Sequence, residues 1–183
     1  EFSMNQVAPP PRRSPIVAEK YAEIWMEGGS PLAVLTRGLG AAVQSELPDW
    51  QVTVAMRYGA PALAVTIEML RDAGCEDIVV LPLYPQYSTT TTASVEDVVD
   101  ALRARHRGIR VRLIRDYHRD PRWIDAVAAS IRAHWSVHGR ADRLLLSFHG
   151  IPERLVRAGD PYAAQCEAST QGIATALGID RDD

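Results

Sequence analysis

Side chains able to do chemistry fall at the ends of apolar runs in this sequence. Leu144, Leu145 and Leu146 give way to Ser147, Phe148, His149 and Gly150. A neutral imidazole in such a place can accept a proton or bind a metal near neutral pH. The run that starts at Asp77 ends in Tyr84, Pro85, Gln86, Tyr87 and Ser88, and the run from Ile109 ends in Asp116, Tyr117 and His118. The run from Gln51 ends in Arg57, Tyr58 and Gly59. Tyrosine and phenylalanine offer flat apolar faces with polar tips, suited to a large planar organic ligand. Arg57 can grip a carboxylate in a forked geometry.

Each residue also has an ordinary reading. Arg57 can form a surface ion pair, Tyr84 and Tyr87 can be edges of a core, and His118 can satisfy backbone groups. His149, between a buried run and a glycine, is the one whose placement points most directly to a ligand. His106, His134 and His138 read as helix-surface residues. The threonines from Thr89 to Thr92 lack the glycines and lysine of a phosphate loop and read as a helix start. Cys75 and Cys166 show no metal-ligand spacing and read as reduced thiols. Two cysteines are too few for an iron–sulfur cluster.

A parallel sheet would bring these run ends to one edge, because ligands bind at the carboxyl ends of its strands. The period changes accordingly along the chain. Strands are expected over 51–58, 77–84, 109–114 and 142–148, and helices over 62–74, 93–108, 119–139 and 159–178, preceded by helices near 17–25 and 30–47. Asp120 with Pro121, and Asp160 with Pro161, are helix starts. Ser94 with Asp97 suggests a capping box. The fold class is therefore α/β, a parallel sheet flanked by helices.

The chain has 183 residues, of which 46% are hydrophobic and 23% charged, with a net charge of -3. That suits one globular core and gives no reason to expect a nucleic-acid partner. No run approaches the ~18 apolar residues of a membrane span, and no signal peptide is visible. Residues 1–15 read as an artificial, proline-rich leader, and 16–183 as one partial α/β domain. The location expected is the cytoplasm.

Four motifs together carry a resemblance: "MRYGAP" (Met56 to Pro61), "LPLYPQYS" (Leu81 to Ser88), "LLLSFHGIP" (Leu144 to Pro152) and "GDPY" (Gly159 to Tyr162). In order and spacing they resemble the signatures of ferrochelatase, and "YAEIW" with "GGSPL" resembles its amino-terminal half. The resemblance implies a three-layer chelatase fold of two similar halves, with a porphyrin held in the cleft between them. It implies ferrous iron as a substrate, no tightly bound cofactor, and protoporphyrin or coproporphyrin as its partner in haem formation. His149 matches the family's active-site histidine, as metal ligand or as base for a pyrrole proton. Arg57, Tyr58, Tyr84 and Ser88 match positions near the porphyrin, and His118 falls close to another histidine region. The family's first strand, its porphyrin-covering segment and its second half, with acidic residues facing the histidine, have no counterpart in this sequence. The chain is therefore expected to be an amino-terminal portion, inactive alone, with a sheet edge open to self-association. A hydrophobic product leaves room for peripheral membrane contact. The alternatives are a short homodimeric chelatase of the sirohydrochlorin type and a non-catalytic module that binds a tetrapyrrole or an anion.

Overall fold

The computed structural model describes residues 13–106 and 108–179. Most of the expected leader lies outside them, and its last residues already belong to a helix. The chain divides into two compact units, Glu1–Met56 and Arg57–Asp183, where the sequence shows no boundary.

The first unit contains α1 (Arg13–Glu23) and α2 (Pro31–Glu46). Ser30 caps α2 by accepting from the Ala33 N–H at 3.2 Å, with Pro31 next in the chain, a start in which proline loses no needed donor. The Gln44 side chain organises the segment that leaves α2. Its amide donates to the carbonyls of Leu47 and Trp50, and its oxygen accepts from the Val52 N–H.

The strand expected at 51–58 does not form. Residues 51–55 have no strand pairing, and Val52 and Val54 are half-buried while Gln51 and Thr53 are exposed. Gly40 explains where that apolar alternation goes: a Cβ there would stand 2.5 Å from Cγ2 of Val54. The segment lies tight against α2, so a helix supplies the burial that the pattern demands and no ladder is needed.

The second unit is built on a βαβ core. β1 (Asp77–Val80) and β2 (Arg110–Leu113) pair in parallel, Asp77 opposite Arg110 and Val80 opposite Leu113. α3 (Leu63–Asp72) precedes β1, and α4 (Thr92–Arg105) makes the crossover. Ile67, Ile78, Val80, Val95, Val99, Leu102 and Val111 form one buried cluster between the helices and the sheet. Full burial of each such side chain is worth about 1.5–3 kcal/mol. Gly74, at φ +91°, ends α3 in a left-handed conformation that costs glycine little.

α5 (Pro121–His138) and α7 (Tyr162–Leu177) pack on each other, with the short α6 (Glu153–Arg157) between them in the chain. Gly172 permits their close approach, since a Cβ there would meet Ile124 Cδ1 at 2.6 Å. Asp120 caps α5 as expected. The capping box expected at Ser94 is absent: α4 starts at Thr92, and Ser94 Oγ donates to the Thr91 carbonyl within the first turn.

The strand expected at 142–148 is not formed either. Residues 143–150 carry no strand pairing, and Leu145 is 88% exposed. An apolar sequence sets a preference for burial, but a strand exists only beside a partner, and no partner strand adjoins these residues among those described. The observed architecture is a small parallel sheet flanked by helices. No helix among the described residues is long and apolar enough to cross a membrane.

Candidate functional site

Both strands end at the same side of the second unit, and the two loops that leave them meet there. The Tyr117 N–H donates to the Pro85 carbonyl at 2.9 Å, which joins the loop after β2 to the turn after β1. Gln86, only 7% exposed, donates from Nε2 to Ser169 Oγ at 2.9 Å. Ser169 Oγ lies 3.1 Å from the His118 carbonyl and 3.0 Å from that of Gln165. Gln165 Oε1 accepts from the Tyr87 N–H at 2.6 Å. One face of α7 thus serves as a polar bed for both loops.

Asp160, at the foot of α7, completes that bed. Its Oδ1 accepts from the Tyr162 N–H at 3.0 Å, where α7 begins after its N-cap Pro161. Its Oδ2 accepts from Ser88 Oγ at 2.9 Å, the Thr89 N–H at 2.8 Å and Thr89 Oγ1 at 2.6 Å. Burial alone would push this carboxyl up, but the donors from Thr89, Tyr162 and Ser88 outweigh it and hold the group below its ordinary range.

The expected site residues are distributed around this frame. Arg57 donates from Nε to the Ser94 carbonyl at 2.6 Å, and its guanidinium lies 4.6 Å from the centre of the Tyr58 ring. Tyr58 is 68% exposed and Tyr84 42% exposed, so both rings have faces open to a ligand. The His118 side chain is largely covered, with Nδ1 2.8 Å from Asp116 Oδ1. His149 sits in an exposed loop, and α7 opens on Tyr162 with its phenol. Burial pushes that phenol up, and so does its hydrogen bond with Cys166, while the His149 N–H opposes the shift.

Ser88 stands apart from these more exposed groups. Its side chain is completely buried at 0% exposure and hydrogen-bonded to Asp160 and Thr90. It holds the turn from beneath. Arg115 was not singled out by the sequence, yet its guanidinium lies 4.7 Å from the Tyr87 ring centre and its Nε 3.2 Å from Glu96 Oε1. The Tyr87 and Glu96 contacts push its already high pKa further up.

Asp160, Ser169 and Gln86 are further residues that sequence reasoning gives no site role. One signal was available: Ser169 falls on the apolar stripe of α7 between Cys166 and Ile173, and a polar group at a core position implies a buried partner.

The opposite end of the sheet holds a cleft of about 560 Å³, lined by Arg71, Cys75, Glu76, Arg105, His106 and Ile109 among others. Its polar side chains pair with each other or with nearby acids: Arg71 with His106 and Asp72, Arg105 with Glu68. It lies where the strands begin, away from both loops. Among the described residues no group of three or more His, Cys, Asp or Glu is arranged to hold a metal ion.

Comparison with known proteins now decides the family. The model of the Ferrochelatase family matches residues 4–183. The chain belongs to the ferrochelatase family. A ferrochelatase of Xanthomonas axonopodis pv. citri (strain 306) is 57% identical over 173 residues, which cover 94% of this chain and 54% of the relative. A ferrochelatase of Stenotrophomonas maltophilia (strain R551-3) is 56% identical over the same shares. One from Aeromonas hydrophila subsp. hydrophila is 46% identical over 93% of this chain and 54% of its own length. The chain therefore spans about half the length of the ferrochelatases it matches. The family match begins at residue 4, inside the stretch that reads as an artificial leader.

Proposed function

We propose that the protein to which this chain contributes inserts ferrous iron into a porphyrin, protoporphyrin or coproporphyrin, in haem formation. The observation that carries the reading is the meeting of the Tyr84–Ser88 turn and the Asp116–His118 loop over one face of α7. The 46–57% identity to proteins named ferrochelatase supports it.

Metallation removes two protons from pyrrole nitrogens and exchanges the water around Fe²⁺ for four ring nitrogens. Iron and porphyrin are substrates here, and no resident cofactor is invoked. His149 is the proposed base and first iron ligand, since a neutral imidazole can do either. Its exposed loop would let the ring reach a macrocycle lying across the strand ends. Tyr58 and Tyr84 would lie against the flat face of the ligand. The Arg57 guanidinium, already stacked on Tyr58, would pair with a porphyrin carboxylate through its terminal nitrogens. His118, held by Asp116, would line the edge of the pocket, while Ser88 would act only by shaping the turn.

We further assign the matched residues to one half of a two-half cleft, the other half being supplied by sequence that the longer relatives possess. β1 has β2 on one side and no partner strand on the other among the described residues, so that edge could also accept a second copy. The site of action proposed is the cytoplasm, with peripheral membrane contact for release of a hydrophobic product.

The test is anaerobic mixing of porphyrin and Fe²⁺ with the whole protein, followed by absorbance. His149→Ala should slow metallation by about 10²–10⁴-fold, the usual contribution of a positioned acid or base. Metallation at the wild-type rate in that variant would defeat the assignment.

A further inference from the structure

We propose that Asp160 is a positioning residue of this site, the carboxylate that registers the Tyr84–Ser88 turn against the foot of α7. Its relevance to the porphyrin rests on the function proposed above; its hold on the turn does not.

The geometry is specific. One oxygen accepts from the Tyr162 N–H where α7 begins, and the other gathers three donors from Ser88 and Thr89 within 2.9 Å. Asp160 is only 6% exposed and Ser88 0%, so the Ser88–Asp160 bond is buried, while Thr89 closes over the carboxylate from the exposed side. The donors lie 71 and 72 residues away in sequence, so the carboxylate fixes tertiary register and not merely a local turn. Asp160 therefore holds the turn that presents Tyr84 on the same helix whose Ser169 reaches the His118 carbonyl. A small shift in this turn would move Tyr84 relative to the other groups at the strand ends, and binding and rate are sensitive to such spacing.

Asp160→Asn keeps size and shape but replaces one acceptor oxygen by an NH₂ group. The hydroxyls of Ser88 and Thr89 can rotate to accept from it, whereas the N–H groups of Thr89 and Tyr162 cannot, so in either orientation of the amide one of them faces a donor and the Thr89 N–H loses its charged acceptor. Hydrogen bonds to charged groups are the strong ones, so Thr89 amide exchange should accelerate about ten- to a hundredfold. The Tyr87 amide, held independently by Gln165 Oε1, should keep its protection. Porphyrin affinity, measured by fluorescence quenching, should weaken about tenfold, and Asp160→Glu should recover part of it.

Hydrogen exchange on this chain decides between outcomes. Fast exchange at Thr89 with protection kept at Tyr87, together with weaker porphyrin binding, supports the proposal. Unchanged exchange at Thr89 overturns it. If Asp160→Asn unfolds the unit and both amides exchange freely, the Ser88→Ala, Thr89→Val double variant removes two of the donors while leaving the acid. It must then show the same local loosening, and porphyrin binding at wild-type strength with a tight turn would overturn the proposal. Failure of the wild-type chain to bind porphyrin would count against the functional reading alone, because Thr89 exchange still judges the anchor.

Discussion

Ser169→Ala offers the most informative single test of how the two loops are held. Ser169 is 0% exposed and Gln86 7% exposed, and Gln86 Nε2 donates to the serine hydroxyl at 2.9 Å. The same hydroxyl lies 3.1 Å from the His118 carbonyl. Removing it strands a buried amide donor, a loss of about 1–3 kcal/mol. Alanine is the better helix former by at most about 0.7 kcal/mol, which offsets part of that loss. The net destabilisation should be about 1–2 kcal/mol, which at a urea m-value of about 1–3 kcal/mol/M lowers the midpoint by roughly 0.3–2 M. Replacing both partners tells more. In Gln86→Leu, Ser169→Ala the stranded donor is gone, so the double variant should be less destabilised than the sum of the singles by about 0.5–3 kcal/mol. Urea titrations of the four proteins at constant m-value measure this coupling. Strict additivity would show that Gln86 and Ser169 act independently and would refute the polar bed under the site.

Leu102→Ala, at 2% exposure in the cluster between α4 and the sheet, should cost about 2–5 kcal/mol, read from the same titrations. Asp160 is depressed in the folded state, so its contribution is present above the ordinary carboxyl range and lost as pH falls through its lower folded value. Wild type should therefore lose more stability on acidification than Asp160→Asn, and parallel pH–stability curves would contradict this. Asp120, held down to about 2 mainly by the Arg122 side chain, should titrate near that value by carboxyl NMR in wild type and return toward the ordinary range in Arg122→Ala. Cys166 is buried, and burial pushes its thiol up. A thiol reagent should therefore modify Cys75 first in the native chain, by mass spectrometry.

Much of the fold is legible where periodicity and punctuation agree. Ile67, Val95, Val99 and Leu102 fall on stripes of α3 and α4 and enter the core, and Asp120 with Pro121 starts α5. The segments 51–58 and 142–148 read equally well as strands and are not. Their composition specifies a need for cover, while the cover itself depends on what lies alongside: α2 in one case, no partner strand among the described residues in the other. At the site, the exposed Tyr58 and Tyr84 and the exposed His149 loop follow from their places at the ends of apolar runs. The burial of Ser88 does not, because the acid that holds its hydroxyl is 72 residues distant and reads in sequence only as a helix start. The same separation hides the Gln86–Ser169 bond, 83 residues apart.

The central claim is that a flat tetrapyrrole lies across the carboxyl ends of the strands. The most direct test is an NMR titration of this chain with metal-free porphyrin, whose ring current displaces the resonances of nearby protons. The account predicts shifts concentrated at Tyr58, Tyr84, His118 and His149, with those of Arg71 and His106 unmoved. Shifts gathered instead around the Arg71–His106 cleft, where the strands begin, would contradict it.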